Sequence, residues 1–91
     1  MANLYFMKVW AVGGSGKPEV ILNEGELCEN RSKAWEILLE RIYRYPFPHQ
    51  YVICSVKRDV LIGLELPMMR AYKCVDKDGV VEFVQDETFP F

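Results

Sequence analysis

Leu4-Tyr5-Phe6-Met7-Lys8-Val9-Trp10-Ala11-Val12 is the stretch that decides how this chain folds. Its β-branched and aromatic residues suit a pleated, half-buried surface, and along a strand successive side chains point to opposite faces. Tyr5, Met7, Val9 and Ala11 then form one row, Leu4, Phe6, Trp10 and Val12 the other, and Lys8 is the sole polar residue. A strand apolar on both faces belongs inside a sheet, or has its second face covered by a partner.

Gly13-Gly14-Ser15-Gly16-Lys17-Pro18 follows with permissive backbone and a breaker, as a hairpin connection does. Glu19 to Asn23, with Val20 and Leu22, reads as the returning strand. Residues 24 to 30 are acidic and turn-like, with Asn30 a candidate N-cap. Glu24, Glu26 and Glu29 then stand where the positive end of a helix favours acids. From Arg31 to Tyr45 the period becomes helical. Trp35, Leu38, Leu39 and Ile42 make one apolar stripe, with Lys33, Glu36, Glu40 and Arg44 outside. Pro46 and Pro48 stop the helix.

Alternation returns in Gln50 to Lys57. Residues 59 to 66 read either as a short strand or as an irregular apolar crossing. Met68 to Val75 is a further strand, Asp76-Lys77-Asp78-Gly79 a tight turn, and Val80 to Val84 its return. The tail, ending in Phe89-Pro90-Phe91, is a candidate to dock back on the body. The expected order is β-β-α-β-(β)-β-β. This is a single α+β domain over residues 1–91, one amphipathic helix on a mostly antiparallel sheet of about four to six strands.

Composition agrees with one modest core. The chain has 91 residues, 51% of them hydrophobic and 26% charged, which excludes a disordered chain. A net charge of −2 advertises neither nucleic acid nor membrane. No apolar run approaches the roughly 20 residues that span a bilayer, and the N-terminus lacks a secretory pattern, so a cytoplasmic location is expected. Cys28, Cys54 and Cys74 are odd in number and read as reduced thiols, at least two of them buried. In that compartment the glycosylation sequon Asn30-Arg31-Ser32 is void. Asn3-Leu4-Tyr5-Phe6 echoes the interior of a tag-protease site without its flanking Glu and Gln, which leaves Met7 as an alternative native start.

No catalytic or cofactor motif emerges. A phosphate-binding loop needs Gly where Ala11 stands and Ser or Thr where Pro18 stands. The three cysteines and His49 have none of the close spacing of a zinc knuckle, and no base is placed beside a thiol by sequence. The carboxylates among Glu24, Glu26 and Glu29, and Asp76 with Asp78, read as helix lead-in and turn chemistry. The expectation is therefore a non-enzyme without cofactor or metal.

Two asymmetries remain. Residues 41 to 58 carry +4 with Tyr43, Tyr45, Phe47 and Tyr51 interleaved, against −6 for the rest. The apolar content of the first strand also exceeds what one helix covers. Interfaces are enriched in aromatics and Met, and a two-fold dimer is the default small oligomer. The leading expectation is an interaction protein of inhibitor, adaptor or accessory type, a homodimer or bound to a larger protein. Tyr5, Met7 and Trp10 would make the contact, with Arg41, Arg44 and Tyr45 as its polar rim. The alternatives are nucleic-acid or other anion binding through residues 41 to 58, and an apolar-ligand pocket lined by Trp35, Tyr72 and Met69.

Overall fold

A computed structural model, describing residues 2–13, 17–43, 51–60, 63 and 65–89, gives the order β1 (Asn3–Val12), β2 (Pro18–Cys28), α1 (Arg31–Ile42), β3 (Tyr51–Arg58), β4 (Met68–Lys77) and β5 (Val80–Gln85). The five strands form one sheet in the order β2-β1-β3-β4-β5, and every neighbouring pair is antiparallel. β1 is flanked on both sides, as its two apolar rows require. The fold is α+β, one helix on one sheet.

β2 is longer than its sequence implies. Residues 24 to 28, expected as an acidic turn, continue the strand, with Met7 opposite Glu24 and Tyr5 opposite Glu26. The reason is nonlocal: Arg41 on the helix reaches back to Glu24 at 2.7 Å and Glu26 at 2.9 Å. Neither acid serves the helix N-terminus, whose first turn holds no acid. Near its start β2 carries a bulge. Val9 faces Leu22 but Trp10 faces Val20, so Ile21 is the extra residue.

Asn30 caps α1 as expected, its side-chain oxygen accepting the Lys33 N–H at 2.9 Å. The helix ends at Ile42 rather than Tyr45, and Tyr43 closes it through the Leu39 carbonyl at 3.1 Å. Residues 44–50, with Pro46, Pro48 and His49, lie outside the described residues. Ala34, Trp35, Leu38 and Ile42 face down onto β1, β2 and β3, where they meet Met7, Val9, Val52, Cys54 and Val56. Burying each large apolar side chain is worth about 1.5–3 kcal/mol, and this layer is the core.

The β4–β5 hairpin is tighter than the four-residue turn expected. Lys77 pairs with Val80, leaving a two-residue loop with Asp78 at φ 53° and Gly79 at φ 85°. Two successive positive φ angles are the mark of a type I′ turn, whose twist matches the strands. The Gly79 N–H donates to Asp76 Oδ1 at 3.0 Å. Between β3 and β4, the described residues 59, 60, 63 and 65–67 form no strand. Glu65 fastens this crossing by accepting Arg31 Nη2 at 2.7 Å and the Arg58 N–H at 2.8 Å. After β5 the chain turns back over the sheet. Asp86 N–H donates to the Ala71 carbonyl at 2.8 Å, and the Phe89 ring comes to 6.4 Å from Tyr51.

Candidate functional site

Residues directly opposite in neighbouring strands share a face, so the register sorts every side chain of the sheet. The helix face takes Tyr5, Met7, Val9 and Ala11 from β1, with Val52, Cys54 and Val56 opposite them. The outer face takes Leu4, Phe6, Lys8, Trp10 and Val12. Across it run the rows Leu27–Leu4, Gly25–Phe6–Lys57, Asn23–Lys8–Ser55–Met69 and Val20–Trp10–Ile53–Ala71.

This sorting corrects the expected contact set. Tyr5 and Met7 lie in the core at 4% and 0% exposure, because theirs is the row the helix covers. They are not available to a partner. Trp10 does lie on the outer face, half-buried, with the Lys8 Nζ 5.0 Å above its ring. Arg41, expected at a polar rim, is turned to β2 and held by Glu24 and Glu26. Arg44 and Tyr45 lie outside the described residues. The apolar-ligand set does not converge either. Tyr72 shares the helix face with Val52, whereas Met69 is opposite Ser55 on the outer face. Trp35 is covered by the helix–sheet layer and stacked by Arg70 at 4.4 Å.

The outer face is uneven. Ser55 and Ala71 near its middle are buried, and Phe89 approaches Tyr51 from the tail. Over β2 and β1 it is open: Leu27 is 68% exposed, Val20 48% and Phe6 47%. On this face β2, β1 and β3 present Lys8 and Lys57 and no acid. Further along, Glu82 is tied to Lys77 at 3.2 Å. Leu27 and Phe6 escaped the sequence reading for different reasons. Leu27 stood in a segment read as a turn, and the choice of buried row in β1 depends on where the helix lands.

The thiols are not poised for chemistry. All three are free, Cys28 and Cys54 buried and Cys74 half-buried. Burial pushes the Cys54 thiol up to about 12, with Cys74 adding to the effect, and burial raises Cys28 and Cys74 as well. Among the described residues no three of His, Cys, Asp and Glu gather as a metal site. Nor is any described helix long and apolar enough to cross a membrane.

No protein-family model, curated protein or solved structure matches this chain.

Proposed function

We propose that this chain is a small non-catalytic interaction protein, a homodimer that docks a larger protein through the β2–β1 half of its outer face. One observation carries the reading: on the face opposite the helix Val20 stands open beside Trp10, and Leu27 and Phe6 stand open on the other side of the Lys8 row. Exposed apolar surface rimmed by polar residues marks interaction sites. Lys8 and Lys57 stand among these residues without an acid on the same three strands, so the complementary surface is apolar and carries carboxylates. A second copy laid face to face would bring these lysines together, whereas interface cores are depleted of charge. The homodimer contact therefore belongs elsewhere on the molecule. Thiols kept protonated by burial support the non-catalytic part of the reading.

A second reading, binding of single-stranded nucleic acid, draws on Tyr51 and Lys57 sharing the outer face with Lys8 and Trp10. Two facts favour the protein partner. The net charge is −2, and the Lys8 ammonium already occupies one face of the Trp10 ring.

The test is capture from the source cells, identification of the retained protein, and titration against wild type and a Lys8→Glu/Trp10→Ala variant. The variant should bind at least about tenfold more weakly, and salt should weaken the wild type. Equal affinity of both forms for the captured protein would overturn the reading. So would salt-dependent binding of oligonucleotides that exceeds any protein affinity. Sedimentation of the free chain tests the dimer separately.

A further inference from the structure

The open part of the outer face has a shape as well as a charge. On β2, Val20, Asn23, Gly25 and Leu27 are all exposed, and on β1 Phe6 is exposed with Lys8 and Trp10 half-buried. Across β3 and β4 the face closes at Ser55 and Ala71, and Tyr51 meets the Phe89 ring. The open band is thus two strands wide, about 10 Å. Gly25 leaves β2 bare between Asn23 and Leu27, where an added Cβ would touch Leu4 Cδ1 at 3.4 Å and the Phe6 ring at 3.5 Å. A bare glycine inside a strand marks a place of close approach.

We infer that this band seats one amphipathic helix of the partner, with a carboxylate at the centre of its contact and an apolar residue one turn to either side. The inference rests on the docking reading of this face.

Width, backbone chemistry and spacing point the same way. A helix with its side chains is about 10–12 Å across, so one fills the band. A second sheet would have to spread over β3 and β4, where the face is closed. An extended segment would lie with its N–H and C=O groups unpaired, because the main chain of β1 beneath it is engaged on both sides. A helix satisfies its own. Along β1, Phe6, Lys8 and Trp10 follow one another at about 6.8 Å, and residues i, i+4 and i+8 of a helix follow at about 6 Å. That row winds around the helix as the twisted strands turn beneath it.

The middle residue sets the charge. Among the described residues neither Lys8 nor Lys57 has a carboxylate partner. The Lys8 ammonium rests 5.0 Å from the centroid of the Trp10 ring, and it keeps N–H groups to donate to an acid above it. An acid at i+4 meets this ammonium between apolar contacts at Phe6 and Trp10.

Two designed peptides of identical composition test this. One sets Leu, Glu and Leu at i, i+4 and i+8 of an alanine-rich helix, and the other sets them at i, i+2 and i+4, the spacing of a strand. In proton–nitrogen spectra of the whole chain, the first should shift the Phe6, Lys8 and Trp10 amides and bind at least about tenfold tighter than the second. Lys8→Glu should weaken it at least about tenfold, and a peptide with Lys at i+4 should regain the loss on Lys8→Glu alone. Regained binding also shows that the variant is folded. A strand-spaced peptide that binds as tightly, or a charge swap that regains nothing, overturns the acidic helix. So does a face that neither peptide shifts while the captured protein still depends on Trp10; in all three cases the docking face stands. If neither the peptides nor any captured protein depends on Trp10, both fall.

Discussion

Arg41 bridges helix and sheet: its guanidinium holds Glu24 at 2.7 Å and Glu26 at 2.9 Å. Exposed ion pairs contribute little singly, but a planar fork gripping two carboxylates is the favourable geometry. Arg41→Ala should cost about 1 kcal/mol in urea unfolding, with Arg41→Lys recovering only part, because an ammonium cannot span both acids. Cys54 is the opposite case, a small thiol sealed in the core. Its pKa in the folded chain is about 12, above the ordinary thiol value. Folding therefore favours the protonated form. The associated stability is complete below the ordinary thiol pKa and is lost as pH climbs from there toward the folded value. Thiol titration at pH 8 should leave Cys54 unmodified until denaturant is added, and Cys54→Val should flatten the alkaline loss of stability. Trp10 is half-buried and stands on the outer face. Trp10→Ala should cost about 1–3 kcal/mol in urea unfolding, since part of the ring is covered on that face.

At the scale of elements, α1 depends on its stripe and the β4–β5 hairpin on its turn. Leu38→Ala removes a fully buried side chain between helix and sheet and should cost about 2–5 kcal/mol, read by thermal or urea unfolding. Gly79→Ala places a Cβ at φ 85°, which L-residues rarely adopt, and should cost about 1 kcal/mol without touching the core. The helix was legible because period, cap and stripe agree along twelve consecutive residues. The second half of β2 was not. Glu24-Gly25-Glu26 has the local chemistry of a turn, and only the distant Arg41 and the ladder with β1 make it a strand. β1 was half legible. Alternation separates its two rows, but nothing within residues 4–12 tells which row the helix covers. Hence Trp10 lies in the row that faces away from the helix, while Tyr5 and Met7 belong to the core.

The whole molecule consists of two local units, β1–β2–α1 and β3–β4–β5, joined along the β1–β3 ladder from Tyr5–Arg58 to Val12–Tyr51. The order of elements and the α+β class follow from sequence, because each strand and the helix carry their own period. The order within the sheet does not, since β1 passes over its intervening neighbours to reach β3. That ladder also has a consequence in time. The hairpins β1–β2 and β4–β5 close short loops, whereas β1 meets β3 only after the chain between them has been gathered in, at a cost in closure entropy. Nonlocal pairing of this kind sets folding rates. Val56→Ala, in the ladder, should slow refolding in stopped-flow measurements. Val80→Ala, at the periphery, should chiefly hasten unfolding. The joint between the two units is thus the clock of the molecule: each half can take shape early, but the protein exists only once they meet.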